Sequence, residues 1–391
     1  MMPILFKHRF PPQQQYGVIL LIVLWFIVII TVLVAALATE IRLTAEAVFH
    51  NQENLQTWND TLKALRIAEM ELLLTTMPAA AEDEERQEYI KESKDWAWAY
   101  RFDGRILNTA YPLPETVTVR IYDHAGKINL QRLIPVPGKM RELLENKIGN
   151  DSERLDALID AWQDWIDADE LKRQNGAEKE YYEKLSPPYE PRNRILETVE
   201  ELLLIKGFAE IFNGVEMENA FTTYSNSWQI NPNLATRESL ILLPGMTETM
   251  AEAILVHRRE KEFKNIQEIT ELEEFKEMEL EQRNKFLTWM YFSTSNFYTI
   301  AIQVKPPKPA IGDKIDEKQS LDKNKEPILP QSEQASSEEK QFAYMVTVQT
   351  RGTRKPPKVL MVNPYGVLPD SRHELVPIKD PNDLTKSLPN N

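Results

Sequence analysis

Residues 17–38 read GVILLIVLWFIVIITVLVAALA, and from 18 to 38 the only polar side chain is Thr31. These 21 residues, at a helical rise of about 1.5 Å each, reach roughly 31 Å, enough to cross the hydrocarbon of a bilayer. Lys7 and Arg9 stand before the run and favour a cytoplasmic N-terminus. A secretory signal peptide would have a shorter apolar stretch closed by small residues. Here the helical pattern runs on: Ile41, Ala45, Val48, Phe49, Leu55, Trp58, Leu62, Leu65, Ala68 and Leu72 keep a period near 3.6 until Pro78. The spacing predicts one helix over 18–77, about 90 Å long, with 18–38 in lipid and 39–77 outside it.

Beyond this helix, 391 residues with 42% hydrophobic content are enough for a sizeable core. The formal charge of -14, from 60 acidic and 46 basic side chains, argues against a nucleic-acid partner, because phosphate binding needs a basic face. The chain has no cysteine, which excludes thiol nucleophiles, thiolate metal sites and disulfides. The five histidines, His8, His50, His124, His257 and His373, are scattered. No G-x-S-x-G, H-E-x-x-H or phosphate-cradling glycine loop is present, so the chain reads as a non-enzyme.

After an acidic stretch following Pro78, Val117, Val119 and Ile121 alternate with Thr and Arg as in a half-buried strand. Asp123 to Gly126 read as a turn, and Lys127 to Leu130 as the strand resumed. Residues 135–290 carry helical spacing in LLENKIG, LDALIDAWQDWIDADELK, ETVEELLLIKGF and ESLILLPGMTETMAEAILVHRR. Strand character returns at 295–304, 341–349 and 359–362, while 305–340 and 364–391 are rich in proline and charge and read as disordered. The expected class is α+β. It comprises a long N-terminal transmembrane helix, a core with antiparallel strands in two parts (78–134 and 291–363), and a large helical insertion at 135–290.

A short basic leader ending in glycine, followed at once by such a helix, resembles the type IV pilins. The resemblance implies a leader of residues 1–17, cut by prepilin peptidase between Gly17 and Val18. Most pilins carry a glutamate at the fifth mature position, where this chain has Ile22. A buried carboxylate in an apolar helix bundle needs a partner amine, and a subunit with nothing above it has none to meet. The succession Asp164-Trp165-Ile166-Asp167-Ala168-Asp169, Gly176-Ala177-Glu178, Tyr181-Tyr182, Pro188-Tyr189, Asn193 and Glu200-Glu201-Leu202 resembles the protein K family of type II secretion systems. So do Asn231 to Ala235, Leu243-Pro244-Gly245 and SNFYTI. The resemblance implies a pseudopilin fold with an inserted helical domain, a single-pass anchor in the bacterial inner membrane and a bulk in the periplasm. It also implies a place at the pseudopilus tip, where the subunit primes assembly for the export of folded proteins. The implied partners are the minor pseudopilins of the I and J types, the major pseudopilin and prepilin peptidase.

Two further patterns admit two readings each. Residues 240–259 look like a helix-hairpin-helix, which in DNA-binding proteins holds phosphates with glycine amides and basic side chains. The second glycine position holds Thr247, and residues 231–290 carry eight basic against twelve acidic side chains. Packing is therefore expected, and a membrane-anchored DNA receptor is the competing reading. Asp164, Asp167, Asp169 and Glu178 offer hard oxygen ligands suited to calcium, without the glycine of an EF-hand loop; the other reading is a solvated helix end. The protein K resemblance favours calcium. Trp96, Trp98, Trp162, Trp165 and Trp228 are expected to pack in or beside the core.

Overall fold

The computed structural model describes residues 16–76, 102–107, 109, 111–305, 341–352 and 355–369. Helix α1, Tyr16–Thr76, runs for 61 residues. The chain divides into two units, Met1–Asn59 and Asp60–Asn391. In the first, Leu21–Arg42 is long and apolar enough to cross a membrane, and its side chains are uncovered. The hydroxyl of Thr31 donates to the carbonyl of Ile27 at 2.7 Å. Its polar group is thereby satisfied within the helix, as a lipid environment requires.

The second unit is organised on a sheet of strands β1 (Asp103–Ile106), β2 (Val117–Asp123), β5 (Phe297–Val304), β6 (Phe342–Gln349) and β7 (Lys358–Val367), in the order β1-β2-β5-β6-β7. Every neighbouring pair is antiparallel. Side chains alternate across the sheet. Val117, Val119 and Ile121 of β2, Ile300 and Ile302 of β5, and Val346 and Val348 of β6 share one apolar cluster with Ala64, Leu65, Ala68 and Leu72. The two alanines, one turn apart, let the helix backbone lie close to the sheet.

The helical insertion leaves the sheet after Asp123 and rejoins it at Phe297, because β2 and β5 are neighbours with Asp123 opposite Tyr298. This corrects the expected boundaries of 135 and 290. Lys127 to Leu130 do not resume β2. Strand β3 (Ile128–Asn129) pairs in parallel with β4 (Phe221–Thr222), in a separate two-stranded sheet. The Asn129 side chain then caps a helical turn, Leu130–Leu133, by accepting from the amides of Gln131 and Arg132. A short apolar run such as Ile128–Leu130 cannot be assigned to strand or helix by period alone.

Within the insertion, α2 (Pro137–Ile148), α3 (Ser152–Ile166), α4 (Glu248–Glu260) and α5 (Leu280–Thr288) are joined by shorter turns. Its core includes Trp162, Trp165, Phe208, Phe212 and Trp289, all essentially inaccessible, with Trp228 packed edge-on against Trp289. Two expected helices are shorter than their spacing suggested. Helix α3 stops at Ile166, with Asp167 in an extended conformation. The ETVEELLLIKGF stretch is a 3-10 turn, Glu200–Leu204, separated from a short helix at Phe208–Ile211 by Gly207 at φ 84°. Strand β7 outruns the expected 359–362, and its Pro364 sits on the sheet edge, where a missing N–H is tolerated. Residues 306–340, 370–391, Trp96 and Trp98 lie outside the described residues.

The neck of the insertion is stitched by buried polar groups. Asp123 accepts from the Ala125 amide at 2.8 Å, the Ser295 amide at 3.1 Å and the Ser295 hydroxyl at 2.5 Å. Burial lifts its carboxyl to about 6, and these bonds hold it from rising further. The His124 ring bonds Thr222 of β4 through Nδ1 at 2.7 Å and Thr299 of β5 through Nε2 at 2.8 Å, so one imidazole joins the insertion to the sheet. Burial, and then the charge of Lys127, push its pKa well below the ordinary value. It is therefore neutral, with one nitrogen donating and the other accepting.

Candidate metal centre

The loop after α3 gathers acidic groups at the C-terminal end of the helix. Asp164 lies in the last turn of α3 and is fully buried; Asp167 caps it. The chain then returns across the helix end, and its close approach depends on a glycine. A Cβ at Gly176 would lie 1.8 Å from Oδ2 of Asp164. Below the loop, Trp165 packs edge-on against Tyr182 at 5.1 Å between ring centroids, and Tyr182 against Tyr189 at 5.3 Å. This aromatic floor fixes the end of α3 and the turn Lys179–Tyr182, which follows Glu178.

Of the four candidate ligands, the structure brings together three. Asp167, Asp169 and Glu178 each present an oxygen within 4.8 Å of the others. Asp164 is engaged elsewhere: Arg173 donates to its Oδ1 from Nη1 at 2.7 Å and from the backbone amide at 3.3 Å. The same Nη1 donates to Oδ2 of Asp167 at 2.5 Å. Both Glu178 oxygens and Oδ1 of Asp167 are buried without a hydrogen-bond partner. Glu178 is only 5% exposed. Its carboxyl is pushed up to about 7, first by burial and then by the charges of Asp164, Asp167, Glu170 and Asp169. Asp169 spends one oxygen on the Leu171 amide at 2.8 Å. Unpartnered oxygens and excess negative charge in one place suit a hard divalent cation such as calcium.

Sequence reasoning missed Arg173 and Asn193 as parts of this site. Asn193, at φ 51°, donates through Nδ2 to Glu170 Oε1 at 2.9 Å and to the Asp169 carbonyl at 3.4 Å, tying a distant loop to the acidic one. Its place in the recognised succession was the one available signal.

The other singled-out residues fall in α1 or the hairpin. Gly17 and Val18 lie in the first turn of α1, and Ile22 is 53% exposed on it. In the hairpin Gly245 has φ 68°, and its amide donates to Asn146 of α2 at 3.2 Å. A Cβ there would meet Gln282 and Met278 at 2.7 Å. Thr247 caps α4 by accepting from Met250, and Glu248 occupies its first turn. The glycine amide that would face a phosphate in a DNA-binding hairpin is thus spent inside the fold.

The second unit is thus an antiparallel sheet with residues 64–72 of α1 packed on it and a helical domain inserted between two neighbouring strands. Residues 126–212 match the first domain of type II secretion system protein K, and residues 225–288 match a helix-hairpin-helix motif. Over residues 126–212 the chain is thus similar to protein K of type II secretion systems.

Protein K of Pectobacterium carotovorum is 28% identical over 129 residues, 32% of this chain and 39% of that protein. Protein K of Pseudomonas aeruginosa is 28% identical over 199 residues, 49% of this chain and 57% of that protein. A putative protein K of Escherichia coli K12 is 26% identical over 245 residues, 58% and 71% of the two chains. The chain thus spans 39% and 57% of the length of the first two relatives. A crystal structure of the GspK-GspI-GspJ complex from the type 2 secretion system of enterotoxigenic Escherichia coli aligns with TM-score 0.46 and 16% identity, covering 80% of this chain and 97% of that one.

Proposed function

We propose that the chain is a minor pseudopilin that caps the pseudopilus tip and primes its assembly for export of folded proteins across the outer membrane. The observation that carries this reading is the protein K domain, set between β2 and β5 of the sheet on which α1 packs. An insertion of that size is too bulky to repeat along a thin shaft. Ile22 removes the carboxylate that would pair with an amine above, which suits a terminal subunit. The anchor lies in the inner membrane with the bulk in the periplasm, and prepilin peptidase cuts between Gly17 and Val18. Minor pseudopilins of the I and J types pack on the apolar stripe of α1 that includes Ile41, Val48 and Leu55, all well exposed. The major pseudopilin extends the filament below.

Calcium is held by Asp167, Asp169 and Glu178 and links the loop to the end of α3. It supplies electrostatic cross-linking and no chemistry. The DNA-receptor reading is disfavoured by the Gly245–Asn146 bond and by Glu248 at the start of α4.

Mass spectrometry of the membrane form in cells with prepilin peptidase tests the assignment: the mature chain begins at Val18. Intact protein starting at Met1 as the sole form defeats the pseudopilin reading. Crosslinking that places the subunit periodically along the shaft defeats the tip assignment alone.

A further inference from the structure

The acidic loop holds a cation of its own. Nη1 of Arg173 sits between Oδ1 of Asp164 at 2.7 Å and Oδ2 of Asp167 at 2.5 Å, bridging the two carboxylates. We propose that Arg173 is a built-in counter-ion that keeps Asp164 out of the ligand set and confines a divalent cation to Asp167, Asp169 and Glu178. The proposal rests on the calcium reading above and adds what decides the ligands and the affinity.

Three observations carry it. Asp164 is fully buried and accepts from the backbone amide of Arg173 as well as from its side chain, so both ends of one residue hold it. Its other oxygen, Oδ2, accepts from the same Arg173 amide at 3.2 Å and lies against Gly176, where an added Cβ would come within 1.8 Å. Asp167 is split between two roles: Oδ2 is given to Arg173, while Oδ1 is buried and unpartnered.

The charge arithmetic follows. Four carboxylates (Asp164, Asp167, Asp169 and Glu178) and one guanidinium leave a net of -3, which a divalent ion reduces but does not cancel. Without the guanidinium the net is -4, and the ion loses a repelling neighbour. Arg173 therefore keeps Asp164 paired in the absence of metal, and makes metal binding weaker than four carboxylates would allow.

Isothermal titration of the full chain in detergent with calcium chloride tests this. Arg173→Gln should bind calcium on the order of tenfold more tightly than wild type, since it removes a unit charge close to a divalent ion. Arg173→Lys, which keeps the charge, should stay within about twofold of wild type. Asp164→Asn removes a negative charge without removing a ligand, so it should weaken binding by no more than about tenfold and leave a measurable site. Unchanged or weaker binding by Arg173→Gln overturns the proposal. So does loss of binding in Asp164→Asn, which would make Asp164 a ligand and Arg173 displaceable. Should Arg173→Gln fail to fold without metal, Asp164→Asn decides alone. If neither wild type nor Arg173→Gln binds calcium, the calcium reading falls and the proposal with it. If wild type binds and Arg173→Gln matches it, only the proposal falls.

Discussion

Asp123 at the neck of the insertion and Glu178 in the loop after α3 are the same chemical group in two settings. Both are buried, with 2% and 5% exposure, and burial raises both pKa values, to about 6 and about 7. Asp123 is answered by three donors on Ala125 and Ser295. Glu178 has no donor on either oxygen and faces three aspartates and Glu170. A buried carboxylate surrounded by donors closes a structure. One surrounded by other carboxylates stores unfavourable charge that a cation or a proton relieves. The neck is thus finished by the protein alone, whereas the acidic loop keeps buried carboxylate oxygens that no protein donor answers.

The largest expected effect is at the neck. Asp123→Ala leaves the amides of Ala125 and Ser295 and the Ser295 hydroxyl without an acceptor, at a cost of about 3 kcal/mol or more. Asp123→Asn keeps an acceptor oxygen and should cost less. Denaturant unfolding of the full chain in detergent, followed by fluorescence of the buried tryptophans, measures both. Calcium should not restore Asp123→Ala, because the defect lies outside the proposed ion site. An unchanged midpoint for this variant would remove the neck's half of the comparison.

Next in size is Gly176→Ala. The added methyl collides with Asp164 Oδ2, and relieving such overpacking typically costs about 1–3 kcal/mol. The displaced loop carries Glu178 with it, so the variant should lose both stability and calcium affinity. Wild-type affinity in a destabilised Gly176→Ala would mean that the position of the loop does not set the site.

What could be read in advance divides along the same line. The long helix, expected over 18–77 and found at Tyr16–Thr76, and the strands of the sheet announce themselves by periods sustained over many residues. The neck was misplaced because Ile128–Leu130 is too short to show a period, and because the cap at Asn129 decides its conformation. The acidic cluster was legible as composition. Its division was not: that Arg173 takes Asp164, that Gly176 admits the loop, and that Asn193 ties back to Asp169 and Glu170 all depend on how the chain returns across the end of α3.

The smallest effect separates the two carboxylates by pH. The carboxyl of Glu178 rises from 4.5 in the unfolded chain to about 7 in the fold, so between these values the folded state holds a proton that the unfolded state has lost. Stability therefore falls as pH rises through this window, and the penalty is complete above about 7. Asp123, raised from 3.8 to about 6, adds a decline of the same sign in a lower window. Glu178→Gln removes only the upper part. In chelator, Glu178→Gln should therefore melt higher than wild type at pH 8, on the order of 2 °C, and converge with it near pH 5. On the proposed calcium reading the ion reverses the order, since an ion held by the charged wild-type site would stabilise the folded state, whereas the glutamine variant has lost a ligand charge. Melting temperatures across this pH range, with chelator and with millimolar calcium, read both effects. Parallel curves for the two proteins in chelator would mean that the charge on Glu178 is not strained, and the contrast with Asp123 would fail.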